Sequence, residues 1–477
     1  MSLLRIFLRD SAVYGGADFV SRVVAFITFP IIASHLVPSD FGALELVLTV
    51  TTLLGIVLNT GLNNAVQRFY WDPETRREQQ PAIVSSGLWV LLINCLIAFT
   101  LGSLAALAFV PVRSNVSFAI GTTGLIAALL LMVANQLSQY LLDVTRLHFA
   151  PWRFFGVSVL TKVLSSVAGV AAIAWLGWQL DGMLGLQALV AFVALTVAVF
   201  SVRKDIKPVV DWQVARRLIS YGYPFIFAGL AFWLQSAVDR WMLVGMVSLE
   251  EVGIYSVANR LATVVMFVSL AFGLAWSPLA MKIRVDRPTQ YRQIYAEVML
   301  FLLGGMTLVA GAVSLFSREA LSFLFPAEYG DSALPFVVLA MGIALYATQQ
   351  VTAVGISLEQ KTYLFARLTW ATAGVNVVLN LAMIPVLGAT GAAAATAISW
   401  ALLSAIYLFY TQRLHPLPLF GARLVLLLGL WAILTAASVF ATHFAAGEGL
   451  LFKMVALFAA AVCCVFVVPT KGLRDVV

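Results

Sequence analysis

Charge is scarce in this chain, and its scarcity excludes most soluble folds. Of the 477 residues, 11% are charged and 62% are hydrophobic, and the mean hydropathy is +0.97. A soluble globular protein carries about 25% charged residues. Because a water-soluble chain of this length could not bury so much apolar surface, the sequence predicts a protein that is embedded in a lipid bilayer.

The residues that usually bind metals or perform redox chemistry are also few. There are three cysteines and four histidines, scattered along the chain: Cys95, Cys463, Cys464, His35, His148, His415 and His443. They show no metal-binding spacing and no disulfide pattern. The sequence also contains no Walker loop and no ATPase signature. We therefore predict no catalytic residue, no metal and no cofactor, and expect that the protein is not an enzyme.

Long polar loops are absent as well. The longest connections, around 202–220 and 317–332, are under about 20 residues, which is too short for a separate soluble domain. This disfavours a membrane enzyme with a catalytic head. The start, MSLLRIFLRD, has only a short apolar stretch before Asp10, unlike a signal peptide. We interpret it as a cytoplasmic lead-in to the first helix.

Apolar runs of membrane-spanning length recur from one end of the chain to the other. A membrane helix needs about 20 mostly apolar residues. About fourteen runs meet this requirement: 12–36, 42–66, 82–110, 116–141, 154–177, 182–201, 221–247, 252–279, 293–316, 333–357, 364–386, 391–411, 420–441 and 450–469. The sequence therefore predicts an all-α, polytopic membrane protein with both termini on one side.

The basic residues predict which side that is. With the N-terminus in the cytoplasm, 22 of the 29 lysines and arginines fall in inner segments, and only Arg113, Arg318 and Lys453 fall in outer ones. Short basic loops stay in the cytoplasm. We therefore predict a multi-pass membrane protein with both termini cytoplasmic. The net charge of +7 then reflects membrane orientation and does not indicate a nucleic-acid partner.

Two short patterns recur at one spacing and indicate an internal repeat. Ser39-Asp40-Phe41-Gly42 resembles Glu250-Glu251-Val252-Gly253, and Gly177 matches Gly388, each at an offset of 211 residues. This predicts a duplicated six-helix bundle, with lobes at 1–205 and 206–415 and extra helices 13 and 14 at 416–477. Because six is even, the lobes would be parallel repeats, which hold substrate between them and move by rocking.

Seven charged residues within the runs are the candidates for function. The bases are Arg22, Lys162, Arg240 and Arg260, and the acids are Asp18, Glu45 and Asp239. Charges within a membrane helix cost free energy and usually face a protein interior or a water-filled cavity. The slight excess of bases over acids favours an anionic substrate group such as a pyrophosphate, which arginines bind bidentately.

Other interpretations of these charges stay open. Asp18 precedes Arg22 by four residues, the spacing and order of a helical ion pair, so the two could simply neutralise each other. Arg240 and Lys162 could extend toward the water near a helix end. Glu45 could be solvated. The asparagines near the end of the second run and on the eleventh, such as Asn59 and Asn376, could bond neighbouring helices.

Several stretches resemble the polysaccharide-biosynthesis flippases. The resemblance rests on the arginine of the first run, FP…LVPSDFG at 29–42, and NVVLNLAMIPVLGATGAAAATAISW at 376–400, and covers about residues 5–415. These flippases belong to the superfamily that also contains the lipid II flippases and the multidrug and toxin extruders. The fourteen runs depart from the twelve usual for O-antigen flippases and resemble the lipid II branch.

The resemblance implies a V-shaped, two-lobed transporter that flips an undecaprenyl-pyrophosphate-linked oligosaccharide by alternating access. Arg22 and Arg260, with Arg240 and Lys162, would bind the head group in a cationic central cavity. The acids would couple transport to protons, sodium or the membrane potential. Helices 13 and 14 would hold the lipid tail. Implied partners are the lipid-linked oligosaccharide, membrane lipids, and glycosyltransferases and a polymerase of the same pathway.

Three alternatives remain beside this one. A multidrug or cation antiporter of the same fold would need Asp18 or Asp239 and would tolerate Arg22→Ala. A membrane-embedded glycosyl or phosphoryl transferase would need clustered acids or histidines at a membrane face. A lipid scramblase would lack specificity for a sugar. The sequence alone does not give the sugar, the coupling ion or the oligomeric state.

Overall fold

The computed structural model describes residues 3–109, 119–208, 210–359, 361, 363–419 and 421–468. These residues form helices joined by turns, and no strand occurs among them. A helix satisfies its backbone hydrogen bonds internally, which a bilayer requires because it offers no water. The predicted all-α class is confirmed. Arg113 and both chain termini lie outside the described residues.

The chain divides into two compact units, the first ending at Trp233 and the second beginning at Leu234. The first unit contains eight helices among its described residues: α1 (Leu3–Ala33), α2 (Pro38–Asn59), α3 (Leu62–Tyr70), α4 (Gln80–Phe109), α5 (Thr122–Leu147), α6 (Pro151–Val170), α7 (Leu180–Val202) and α8 (Trp212–Gly222). Helix α5 packs on α7, and α1 packs on α6. The next helix, α9 (Pro224–Met246), begins in the first unit and ends in the second.

The second unit continues with long helices and three short ones. Its described helices after α9 are α10 (Leu249–Asp286), α11 (Tyr291–Leu315), α12 (Ser317–Leu324), α13 (Ala333–Tyr346), α14 (Gln349–Leu358), α15 (Tyr363–Leu414), α16 (Gly421–Ala441) and α17 (Leu450–Val467). The predicted lobe boundary at 205/206 stays a prediction.

The number of membrane spans agrees with the apolar runs. Twelve helical segments of the described residues are long and apolar enough to cross a membrane, or thirteen if the bent pair α8 and α9 forms one span. One of the twelve, α15, has 52 residues. At 1.5 Å per residue it would be about 78 Å long, more than twice the ~30 Å hydrocarbon core. If α15 forms two spans and the bent pair α8 and α9 forms one, the described residues contain fourteen spans.

The division of α15 lies at Gly388, where φ is 54° and ψ is −132°. An L side chain rarely adopts a positive φ, so glycine suits this break. A Cβ at Gly388 would lie 2.6 Å from Oε2 of Glu251, and the same oxygen accepts the backbone N–H of Ala389. The carboxylate thus caps the arm that follows the break. Gly177, the predicted repeat partner, also has a positive φ, 64°.

We expect Gly388→Ala to lower the free energy of unfolding by about 1–3 kcal/mol, because the new Cβ meets Glu251 and a strained backbone must be kept. Gly374→Ala is the matched control in the same helix, since a Cβ there meets nothing within 4 Å. It should leave stability unchanged or raise it by up to about 1 kcal/mol. Thermal unfolding of both variants in one detergent measures the difference, and equal melting temperatures would contradict the prediction.

Helices α16 and α17, the predicted extra pair, pack on the second unit rather than standing apart from it. Helix α16 lies along α11 and α13, and α17 lies along α11 and α16. The indole N–H of Trp431 donates to the carbonyl oxygen of Met341 at 2.9 Å. Near the other end of the pair, Nε of Arg318 donates to the carbonyl oxygen of Thr442 at 2.9 Å. These two hydrogen bonds therefore fix the helix pair to the rest of the second unit.

A buried ion pair joins α17 to α12. The ammonium group of Lys453 is buried and donates to Oε1 of Glu319, which also accepts the backbone N–H of Gly447. Burial by itself would raise the pKa of Glu319, but the hydrogen bonds from Lys453 and Gly447 outweigh it and lower the pKa below its ordinary 4.5. The lowered pKa means that the folded protein is stabilised by the ionised form of Glu319.

The stability that Glu319 contributes should depend on pH. It should be fully present above pH 4.5 and should be lost as the pH falls through the lowered pKa of the folded state. We expect Glu319→Gln to cost about 1–3 kcal/mol at neutral pH, less than a fully buried pair because Glu319 is partly exposed. The gap in melting temperature between wild type and Glu319→Gln should therefore shrink as the pH drops below 4.5, and a constant gap would contradict this.

Candidate functional site

Two cations meet one carboxylate within the membrane-spanning part of the first unit. Nε of Arg22 lies 2.7 Å from Oδ2 of Asp18, one turn earlier on α1. Nζ of Lys162, near the middle of α6, lies 3.6 Å from the other oxygen, Oδ1. The predicted ion pair of Arg22 and Asp18 is thus present, and the packing of α1 against α6 adds Lys162 to it. We call these three residues the Asp18 cluster.

The Asp18 cluster has a net charge of +1 and is accessible. The side chains of Arg22, Asp18 and Lys162 are 49%, 48% and 43% exposed. The carboxylate reduces the cost of holding two cations at membrane depth without neutralising both. Guanidinium and ammonium groups are the usual ligands of phosphate oxygens. The arrangement can therefore receive a phosphate-bearing group.

A polar cavity lies in the same unit. Two adjoining hollows of about 470 and 430 Å³ share the side chains of Asn59, Asn63 and Asn64. The first is lined further by amides of α5, and the second extends past the end of α3. We call the two hollows together the amide cavity. Its volume is in the range of ligand pockets, which is about 300–1,000 Å³.

Asp143, which lines the second hollow, was not among the sequence candidates. Its carboxylate accepts hydrogen bonds from Nδ2 of Asn63 at 2.6 Å and from Nε2 of Gln139 at 3.2 Å, and Nη1 of Arg146 lies 3.2 Å away. The predicted run ended at 141, which assigned Asp143 to a loop, whereas α5 continues to Leu147. The spacing of Gln139, Asp143 and Arg146, four and then three residues, places them on one helical face and could have revealed the network.

Packing connects the helices of the Asp18 cluster to a helix of the amide cavity. Helix α6, which carries Lys162, packs on α1 and on α5, which carries Asp143. Arg146, the ion partner of Asp143, has its guanidinium carbon 4.3 Å from the ring centroid of Phe154 on α6. Helices α1, α5 and α6 of the first unit thus carry both the cluster and part of the cavity lining.

Arg240 and Asp239, predicted as substrate-binding and coupling residues, lie in a buried polar network of the second unit. Their side chains are 7% and 3% exposed, and Nη1 of Arg240 lies 3.6 Å from Oδ1 of Asp239. Nε of Arg240 donates to Oγ of Ser256 at 3.3 Å, and Tyr255 donates its hydroxyl to the other oxygen of Asp239. This burial excludes extension of Arg240 toward the water and favours a structural role.

The remaining candidates are distributed over other helices. Arg260 lies on α10 and is half-buried. Glu45 lies on α2 and is 5% exposed, so the interpretation that its carboxylate is solvated is wrong. Asn376 bonds Asn380 within one arm of α15 and donates to Thr396 of the other arm at 3.4 Å. The expected bonding between neighbouring helices is therefore confirmed for this amide pair.

One acid within the runs was not among the sequence candidates. Glu297, inside the run 293–316, lies buried in α11, where Nε2 of Gln293 donates to its Oε1 at 3.1 Å. This hydrogen-bond partner lies on the same helix, and the predicted excess of bases over acids stays a prediction.

Comparison with known proteins places the chain in a family. The sequence model described as "Polysaccharide biosynthesis protein" matches residues 7–284, more than half of the chain. The chain belongs to this polysaccharide biosynthesis protein family. The matched region includes the Asp18 cluster, the amide cavity and the Arg240 network.

Named relatives of this family member are distant. It is 22% identical over 370 residues to the EPS I polysaccharide export inner membrane protein EpsE of Ralstonia solanacearum, covering 73% of this chain and 81% of the relative. It is 23% identical over 203 residues to the probable low-salt glycan biosynthesis flippase Agl15 of Haloferax volcanii, covering 42% and 43%.

Solved structures show the fold of the family member. A lipid II flippase MurJ in an inward closed conformation matches with a TM-score of 0.70 and 13% identity, covering 97% of this chain and 99% of that one. The Vibrio cholerae MATE transporter VcmN matches with a TM-score of 0.58 and 14% identity, covering 85% and 97%. At such low identity the likeness shows the fold alone.

Proposed function

We propose that this membrane transporter flips an undecaprenyl-pyrophosphate-linked oligosaccharide from the inner to the outer leaflet of the bacterial inner membrane, without catalysing a reaction. The observation that carries the proposal is the accessible, net positive Asp18 cluster at membrane depth in a member of the polysaccharide biosynthesis family. A pyrophosphate is the anionic part of such a lipid, and two cations on one carboxylate suit it.

Each candidate receives a role in this proposal. Arg22 and Lys162 bind the pyrophosphate, and Asp18 holds both cations in position when no substrate is bound. Arg260 of the second unit binds the head group in a later state of the cycle. Asp239 and Arg240 form a structural pair.

Coupling is proposed to use the membrane potential, protons or sodium, with Asp18 and Glu45 as the responding carboxylates. Moving one elementary charge across 100 mV is worth about 2.3 kcal/mol, which is enough to bias an alternating-access equilibrium. Both termini are proposed to be cytoplasmic, and enzymes that build and polymerise the glycan are proposed partners.

The test measures flipping directly. Purified protein is reconstituted into liposomes that contain the host's lipid-linked oligosaccharide, and an added glycosidase that cannot cross the membrane reports the fraction in the outer leaflet. We expect faster exposure of the inner pool than in protein-free liposomes. Equal rates with and without protein, under an imposed potential and pH gradient, would overturn the proposal. Equal acceleration of sugar-free lipids would instead favour a scramblase.

A further inference from the structure

We infer that the amide cavity is the saccharide-binding site of this transporter, separate from the pyrophosphate-binding Asp18 cluster. The inference rests on the proposed function and adds to it which part of the first unit recognises the sugar. It is carried by three observations: amides without partners, a lining of balanced charge, and two exposed rings at the end of the cavity.

Four amide side chains of the cavity make no hydrogen bond to the described part of the chain: Asn64, Gln67, Asn135 and Gln136. Asn135 and Gln136 lie near the middle of α5, a membrane-spanning helix. An amide left without a partner in hydrocarbon costs free energy. Their position in a cavity means that water or a ligand satisfies them.

The chemistry of this lining suits a neutral, hydroxyl-rich ligand. Each amide offers one acceptor oxygen and two N–H donors, so it can bond both the oxygen and the hydrogen of a hydroxyl group. The only two charged residues that line the described hollows, Asp143 and Arg146, pair with each other at 3.2 Å. The cavity therefore offers no net charge to a pyrophosphate, unlike the Asp18 cluster, and its donors and acceptors fit sugar hydroxyls.

Two aromatic rings flank the second hollow. Trp71, just after α3, and Phe149, just after α5, have ring centroids 5.7 Å apart and are 54% and 70% exposed. The C–H faces of a sugar ring are apolar and pack on such rings. The backbone of Phe149 has φ of 51°, which is a strained conformation for a bulky residue. The fold thus retains an exposed phenyl ring at a conformational cost, as at binding sites.

The position of the rings agrees with loading from the cytoplasm. Basic residues that predict the cytoplasmic side, including Arg68, Arg76 and Arg153, lie in the segments that flank Trp71 and Phe149. Exposed aromatic residues near helix ends also occur for another reason, because they anchor a helix at the lipid head groups. Trp152 is an example, since it is 65% exposed and does not line either hollow. It provides the matched control.

The experiment uses the full chain in lipid nanodiscs and two probes. The first is the water-soluble saccharide that mild acid releases from the host's lipid-linked oligosaccharide, measured by saturation-transfer NMR. The second is undecaprenyl pyrophosphate without sugar, measured by native mass spectrometry. The variants are Phe149→Gly, the double variant Asn64→Ala/Gln67→Ala, and the control Trp152→Ala. Glycine accepts the positive φ, so Phe149→Gly removes the ring while keeping or raising the melting temperature.

We expect wild type and Trp152→Ala to bind both probes alike. Phe149→Gly and Asn64→Ala/Gln67→Ala should weaken saccharide binding by about tenfold, the loss of one or two hydrogen bonds or a ring contact, and should bind undecaprenyl pyrophosphate within about twofold of wild type. Saccharide binding that is absent in wild type, or that survives in these variants, or that Trp152→Ala weakens equally, would overturn the inference. Failure of wild type to bind undecaprenyl pyrophosphate would instead count against the proposed function.

Discussion

Replacing Arg22 and Lys162 together by glutamine should reduce the flipping rate of lipid-linked oligosaccharide by about 10²–10⁴-fold. Each charge-assisted hydrogen bond to a phosphate is worth about 1.5–3 kcal/mol, and the double variant removes one or more from each residue. The glutamines are polar and shorter than the side chains they replace, so they introduce no clash and the fold should be maintained. The liposome assay with added glycosidase measures the rate, and the melting temperature checks the fold.

The control for this double variant is Arg318→Gln. Arg318 is a cation of the second unit that bonds the carbonyl oxygens of Thr442 and Gly330, so its loss affects stability and not the phosphate contact. Its flipping rate per folded molecule should match wild type. A double variant of Arg22 and Lys162 that flips within threefold of wild type would remove the Asp18 cluster from the mechanism.

Asp18→Asn separates the flippase from a cation antiporter by its effect on the binding of undecaprenyl pyrophosphate. In the flippase the carboxylate competes with substrate for both cations, so its loss should tighten undecaprenyl pyrophosphate binding by about two- to tenfold, the range of an exposed ion pair. An antiporter that uses Asp18 to bind a cation would show no such gain in pyrophosphate binding.

The second large effect concerns stability. Arg240→Met should lower the free energy of unfolding by about 3–5 kcal/mol, because it leaves the carboxylate of Asp239 buried without its cation. Replacing both partners, as in Asp239→Leu/Arg240→Met, should cost less than the sum of the two single changes, since no uncompensated charge remains. Thermal and chemical unfolding of Asp239→Leu, Arg240→Met and the double variant measure the free energies for this double-mutant cycle.

The matched control for Arg240 is Arg260→Met. Arg260 is half-buried on α10, and in the proposed function it contacts substrate rather than supporting the fold. We therefore expect Arg260→Met to change the flipping rate more than the melting temperature, and Arg240→Met to do the reverse. If Arg240→Met keeps wild-type stability and loses flipping, then Arg240 binds substrate, as the sequence predicted.

The helical class, the family and the position of the spans were predictable from the sequence because each depends on local composition. A run such as 182–201 is apolar throughout, and α7 (Leu180–Val202) occupies it. The break between the two runs near Gly388 was equally local, because a glycine three residues after Pro385 marks a turn that other residues adopt with strain.

The partners of the candidate residues were predictable only where they lie on one helix. The pair of Asp18 and Arg22 follows from a spacing of four residues. Lys162 joins it through the packing of α1 on α6, 140 residues later in the chain, and no spacing rule relates the two. Asp143 was not predicted as a site residue because α5 extends six residues past the apolar run. In this extension polar side chains face the amide cavity instead of lipid.

The sequence by itself determined that this chain crosses a membrane many times and belongs with polysaccharide flippases, because hydrophobicity and short motifs are properties of neighbouring residues. Only the tertiary structure decided which charges are accessible and which are buried. Arg22 and Arg240 look alike in the sequence, yet packing leaves one half-exposed and surrounds the other with Asp239, Tyr255 and Ser256. The solvation of a charge depends on residues that are distant in the chain, and solvation decides whether an arginine can receive a substrate.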